Sequence, residues 1–119
     1  MTFVVAGSGA GLERMRIDGA TGDLLVGKTS TTFGTVGVEN RADGRITSTR
    51  SGNTNLLLNR LSSDGDLIQF YKDGSTVGSI GTAASRMYIG TDDTGLRFTN
   101  DEITPFNPCL LYTSPSPRD

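Results

Sequence analysis

Apolar residues along this chain fall into short runs that alternate with polar ones, cut apart by glycine, aspartate, asparagine and serine. Alternation with period two marks a half-buried strand, and a period near 3.6 marks a helix. No window sustains the helical period. The one helix candidate, residues 11–15, is too short to stand alone. The pattern instead predicts strands at residues 2–5, 15–17, 24–26, 33–38, 45–49, 55–59, 67–72, 76–80, 86–89 and 96–99. Four Asp-Gly pairs punctuate these runs: Asp18-Gly19, Asp43-Gly44, Asp64-Gly65 and Asp73-Gly74. Such a pair accepts positive φ at both central positions of a type I′ turn, so each is a hairpin signal. The clearest hairpin runs 67–72, turns at Asp73-Gly74 and returns along 75–80. Gly78 interrupts the returning arm and predicts a bulge or a close backbone approach. The fold class expected is therefore all-β: short antiparallel strands and hairpins in an elongated meander.

Composition narrows this further. The 119 residues hold 34% hydrophobic and 7% aromatic side chains. Both shares are low for an enzyme domain. The 16 glycines agree with many turns. A core made from so little apolar surface is thin, and small cores commonly need association to become stable. The net charge of −2 has no basic concentration behind it, so no nucleic-acid partner is expected. No apolar run approaches a membrane span, so no membrane insertion is expected. Residues 1–10 are mildly apolar but lack the charged first region of a signal peptide.

Residues 109–119 read C-L-L-Y-T-S-P-S-P-R-D, and three of the four prolines lie at or beyond Pro108. This tail resembles a transposon-type sequencing adapter translated in one frame, with Pro108 able to supply its first base. We expect residues 109–119 to be an artefact that does not pack, and residues 1–108 to be a fragment of a longer gene product. Cys109, the only cysteine, is then no thiol site and no half of a disulfide. With no His as well, residues 1–108 offer neither a Cys/His zinc site nor His-based acid–base catalysis. No linker or domain boundary is signalled within 1–108.

Two well-known signatures occur. Residues 22–29 fit G-x-x-x-x-G-K-[ST], from Gly22 through Gly27, Lys28 and Thr29. A phosphate loop needs open backbone N–H groups followed by a helix N-terminus. Here Leu24-Leu25-Val26 favour a strand, and the residues after Thr29 are β-branched or glycine. We expect Gly22 and Gly27 to bracket a strand, with Lys28 a solvated edge charge. Residues 7–11, Gly-Ser-Gly-Ala-Gly, echo a dinucleotide-binding turn, but Leu12 stands where its third glycine belongs. Asp92 and Asp93, with Asp101 or Glu102, could supply oxygens to a hard cation. A turn joining two strands is the simpler reading of 92–95. Paired carboxylates can also cleave glycosides, but no two here are placed across one cleft by the sequence. No catalytic, cofactor-binding or metal-binding residue is assigned, no cofactor is expected, and the chain is read as not an enzyme.

Residues 13–18, Glu-Arg-Met-Arg-Ile-Asp, followed by a glycine turn and 22–27, resemble a segment of bacteriophage tail fibres and tail spikes. Residues 70–80, Phe-Tyr-Lys-Asp-Gly-Ser-Thr-Val-Gly-Ser-Ile, are similar to a hairpin of the same family. Residues 88–98 with 103–108 resemble a further stretch of such fibres. Asp23-Leu24-Leu25-Val26 departs from the pattern, where Asn-Val-Gly-Ile is more usual. The resemblance implies a shaft segment upstream of an endosialidase-type intramolecular chaperone, which residues 1–108 lack. It implies a homotrimer, with Leu57, Phe70 and Ile80 toward neighbouring chains and Thr- and Ser-rich faces toward solvent. It also implies a place in the virion, extracellular once assembled, with tail or baseplate proteins and a host receptor as partners. The function expected is structural, contributing to host attachment. The alternatives are a bacterial surface adhesin or secreted β-repeat protein, and a glycan-cleaving tail spike whose catalytic part lies elsewhere.

Overall fold

The computed structural model describes residues 13–107. They are all-β and fall into two compact units that part between Leu57 and Leu58, a division that no linker composition signals. In the first unit, β1 (Met15–Ile17), β2 (Leu24–Val26), β3 (Gly37–Asn40) and β4 (Ile46–Thr49) form an antiparallel sheet in sequence order. In the second, β5 (Gly65–Lys72), β6 (Ser75–Ala83), β7 (Arg86–Gly90), β8 (Gly95–Phe98) and β9 (Ile103–Phe106) do the same. Within each unit every strand after the first pairs with the one before it, so both units are meanders.

Two expected strands differ. Residues 33–36 do not extend β3, because Thr35 N–H donates to Thr32 O at 3.0 Å and closes a turn over Phe33-Gly34. Residues 55–59 form no strand and are exposed throughout. Three consecutive leucines there break the alternation a half-buried strand needs, and no neighbouring strand pairs with them. The expected strand at 2–5, the glycine turn at 7–11 and the tail 109–119 lie outside the described residues.

The Asp-Gly signals also resolve unevenly. Asp73 and Gly74 have φ of 49° and 82° and make the expected type I′ turn. At Asp43-Gly44 only the glycine has positive φ, 91°, and Gly44 N–H donates to Arg41 O at 2.9 Å in a longer hairpin loop. Asp18-Gly19 opens a six-residue connection whose positive-φ residue is Gly22. Gly65 begins β5. A second two-residue turn sits at Ala84-Ser85, with φ of 50° and 61° and no glycine. Ala84 N–H donates to Asp64 Oδ2 at 2.8 Å, which anchors that turn.

The hairpin of β5 and β6 carries the expected irregularity. Phe70 pairs with Gly78 and Tyr71 with Thr76, so Val77 is the extra residue of a bulge. A second irregularity lies between Asp66 and Ile68. Beside it, a Cβ on Gly81 would stand 2.3 Å from Gly65 O, so β5 and β6 approach here as only glycine permits.

Residues paired directly across neighbouring strands share a face, and faces alternate along each strand. Arg16, Leu25, Glu39 and Thr47 therefore share one face of the first sheet. The loop from Gly27 to Val36 is tied to that side: Arg16 donates to Thr29 O at 3.4 Å and Thr49 Oγ1 to Phe33 O at 2.5 Å. The other face carries Met15, Ile17, Leu24, Val26, Val38 and Ile46, of which Ile17, Val26, Val38 and Ile46 are exposed. In the second sheet one face carries Asp66, Ser79, Tyr88, Arg97 and Phe106, with Tyr88, Phe106 and Ser79 buried. The opposite face carries Ile68, Ile80, Met87, Ile89, Leu96 and Ile103, and the last four are exposed. The covered faces hold the buried apolar side chains, Leu25 in the first unit and Ala83, Tyr88 and Phe106 in the second, together with polar groups, while the opposite faces leave apolar side chains exposed. Ser79 is a correction to the expected solvent-facing serines and threonines: it lies buried under the covered face.

Candidate functional site

Polar chemistry concentrates at two places, one in each unit. In the first, Lys28 leaves the positive-φ turn at Gly27 and runs its aliphatic stem across Gly37, where a Cβ would lie 2.8 Å from Lys28 Cδ. Its amine donates to Glu39 Oε1 and, at 2.9 Å, to Thr32 O. The Lys28 and Glu39 side chains are only 1% and 2% exposed. Arg41 donates to the other Glu39 oxygen at 3.2 Å and lies 3.7 Å from Asp23 Oδ2. Ala42 N–H donates to Asp23 Oδ1 at 2.8 Å. The Lys28 hydrogen bond holds the Glu39 carboxyl below the usual carboxylate range. The Ala42 N–H does the same for Asp23. A buried charge survives only when paired and hydrogen-bonded, and this network meets that condition around Glu39.

Lys28 is therefore not the solvated edge charge that its sequence context suggested. Polar atoms buried on the covered face of β3 draw it inward. The rest of the 22–29 reading stands: Gly22 and Gly27, with φ of 80° and 74°, bracket the strand Leu24–Val26, and β-structure follows rather than a helix. The Lys28 amine is engaged by a carboxylate, where a phosphate loop would aim it at a ligand.

In the second unit Tyr88 Oη donates to Asp66 Oδ1, and Gln69 Nε2 donates to Asp66 Oδ2 at 3.0 Å. Burial first, and the Asp66 hydrogen bond second, push the Tyr88 phenol up to about 12. Burial works to raise the Asp66 carboxyl, but the donors Gln69, Tyr88 and Ser79 outweigh it and hold the group low. The Tyr88 and Phe106 rings meet at 5.2 Å between centroids, and the Arg97 guanidinium lies 5.3 Å from the Phe106 centroid. Arg97 Nε and Thr104 Oγ1, from register partners on β8 and β9, are buried without hydrogen-bond partners. The arrangement buttresses a sheet. It places no activated nucleophile beside a base.

The carboxylates singled out from the sequence are not brought together. Asp92 and Asp93 sit in the β7–β8 turn, which Thr91 N–H closes onto Thr94 O at 2.8 Å. Asp101 and Glu102 sit in the β8–β9 turn, at the other end of β8. Among the described residues no group of three or more His, Cys, Asp or Glu could hold a metal ion, and no helix is long and apolar enough to cross a membrane.

Sequence reasoning missed both networks. Lys28 and Glu39 stand 11 positions apart with no pattern linking them. Tyr88 was more accessible: Arg86, Tyr88 and Gly90 alternate against Met87 and Ile89, which puts the phenol on the polar side. With this geometry in view, no family model, no curated protein and no solved structure matches the chain.

Proposed function

We propose that this chain is a structural segment of a bacteriophage tail fibre or tail spike, associating as a homotrimer and contributing to attachment of the virion to its host. The observation that carries this reading is the row of apolar side chains left exposed on one face of each sheet. The covered faces already hold Leu25, Tyr88 and Phe106 with the paired polar groups Lys28, Glu39 and Asp66, while Ile17, Val26, Val38 and Ile46 in one unit and Met87, Ile89, Leu96 and Ile103 in the other face outward. A single chain gains nothing from exposing those side chains, whereas a shaft of several chains buries them. The resemblance of 13–18 with 22–27, of 70–80 and of 88–98 with 103–108 to tail-fibre segments supports the identity of the assembly. We infer no enzymatic role, because the polar residues that could do chemistry hold strands and loops in place.

Sequencing the source locus with adapters trimmed tests the proposal. Neighbouring capsid and baseplate genes are expected, with an open reading frame continuing past Pro108 in place of residues 109–119. An upstream signal peptide or a downstream cell-wall anchor in the recovered gene overturns it in favour of a surface adhesin.

A further inference from the structure

We propose that Asp73-Gly74, at the tip of the β5–β6 hairpin, is a site of spontaneous backbone modification, where aspartate converts to isoaspartate ahead of the other three Asp-Gly pairs. The proposal stands apart from the fibre reading and needs no association.

The chemistry uses groups of the chain and water. The Gly74 backbone nitrogen attacks Cγ of the protonated Asp73 carboxyl. A C–N bond forms, the nitrogen gives up its proton, and the carboxyl hydroxyl leaves as water, closing a succinimide ring. Water then adds to one ring carbonyl and breaks its bond to nitrogen. Breakage on the side-chain side restores aspartate. Breakage at the Asp73 main-chain carbonyl leaves the chain running through Cβ, which is isoaspartate. Glycine favours the ring because no side chain crowds the attacking nitrogen.

The four pairs differ in whether nitrogen and carboxyl are free to meet, and a geometry held away from attack slows such a step steeply. Asp18 Oδ1 accepts Ala20 N–H at 2.8 Å, and its backbone is pinned by Asp18 N–H on Asp23 O at 2.9 Å and Gly22 N–H on Asp18 O at 2.7 Å. Asp43 Oδ1 accepts Arg45 N–H at 3.0 Å, and the attacking Gly44 N–H is itself held by Arg41 O at 2.9 Å. Asp64 Oδ2 accepts Ala84 N–H at 2.8 Å, and Gly65 is buried against the Arg60 guanidinium. Asp73 accepts no backbone N–H among the described residues. Its side chain is 86% exposed and meets Lys72 Nζ at 2.7 Å in an ion pair open to solvent, which holds little. Gly74 lies outside the Lys72–Ser75 pair that ends the ladder, and nothing stands within 4 Å of where its Cβ would be.

The tip is also the easiest of the four places to open. Asp73, with φ of 49°, carries the strain of a non-glycine residue in the left-handed region. The bulge at Val77 sets the tip apart, leaving the pairs Tyr71–Thr76 and Lys72–Ser75 beyond it. Local opening costs least where few buried contacts resist it, and Tyr71 and Val77 are both exposed. Parting these two pairs frees Asp73 to swing Cγ onto the Gly74 nitrogen. The product adds a backbone atom to a two-residue loop, so the type I′ turn no longer closes Lys72 onto Ser75.

The test is incubation of the full chain at about 37 °C and about pH 6, where part of the carboxyl population is protonated, beside the same chain in guanidinium chloride. Electron-transfer mass spectrometry locates isoaspartate by its backbone fragments. In denaturant all four pairs should convert at similar rates. In native buffer Asp73 should stay within about threefold of its denatured rate, while Asp18, Asp43 and Asp64 fall roughly tenfold or more below theirs, because each must first open locally. Conversion at any of those three as fast as at Asp73 in native buffer overturns the proposal. So does an Asp73 that stays aspartate in native buffer while it converts in denaturant.

Discussion

Glu39 is a buried charge that tolerates the interior only through its partners. Its carboxylate is buried among Lys28, Arg41 and the strand beside it, and each oxygen has a cationic donor. Removing one partner of such a set strands the other, which is the costly direction. Glu39→Gln should therefore lower the melting temperature by roughly 10 °C, and Lys28→Met with Glu39→Leu together should recover most of that loss, as thermal melts would show. Acid should act through the same residues. Glu39 and Asp23 bind protons less readily folded than unfolded, so their contribution is present above the ordinary carboxylate pKa and lost as pH falls through the depressed folded values. The chain should lose stability below about pH 4, and the Glu39→Gln variant should lose less over that range. Tyr88 works in the opposite direction. Its folded pKa, raised to about 12 from 10.0, gives a contribution that is complete below 10.0 and lost as pH climbs toward 12. Ultraviolet titration of the phenols should show one late step, absent in Tyr88→Phe. A titration that ends near 10 would contradict the buried pairing with Asp66.

The strands themselves were largely legible in the sequence. Met15–Ile17 and Leu24–Val26 appear where alternation and glycine punctuation put them. The Asp73-Gly74 turn fixed its hairpin, and Gly78 marked the bulge beside it. The misses have physical reasons. At 55–59 apolar residues are consecutive, and strand formation depends on a partner that no local pattern announces. At Ala84-Ser85 tertiary support from Asp64 replaces the usual glycine, so nothing in the residue pair advertises a turn. The buried Lys28–Glu39 pair joins a loop to a strand, and only the folded register brings the two together. The turn yields a prediction. Two non-glycine residues in the left-handed region cost on the order of 1 kcal/mol each. Replacing them together, Ala84→Asn with Ser85→Gly, should stabilise the second unit by about 1 kcal/mol and raise its melting temperature by several degrees. The opposite is expected at Gly81, where Gly81→Ala would drive a methyl group into the backbone of Gly65. That variant should lose about 3 kcal/mol or more, with hydrogen-exchange protection vanishing first along β5.

At the scale of the whole molecule, the described residues bury few large apolar side chains, chiefly Leu25, Tyr88 and Phe106, while most of their isoleucines, valines and leucines stay at least partly exposed. Ordering a residue costs on the order of 1–2 kcal/mol of backbone entropy, and apolar burial returns roughly 25 cal/mol per Å². A chain that leaves one apolar face of each sheet exposed recovers little of that cost alone. Folding should therefore be coupled to association. The most direct measurement is the melting temperature of the full-length chain over a hundredfold range of concentration. Coupled folding predicts a rise of roughly 5 °C or more across that range, because mass action favours the associated state. A sharp, cooperative transition at one temperature regardless of concentration would mean that the chain folds to completion by itself, and would contradict the account.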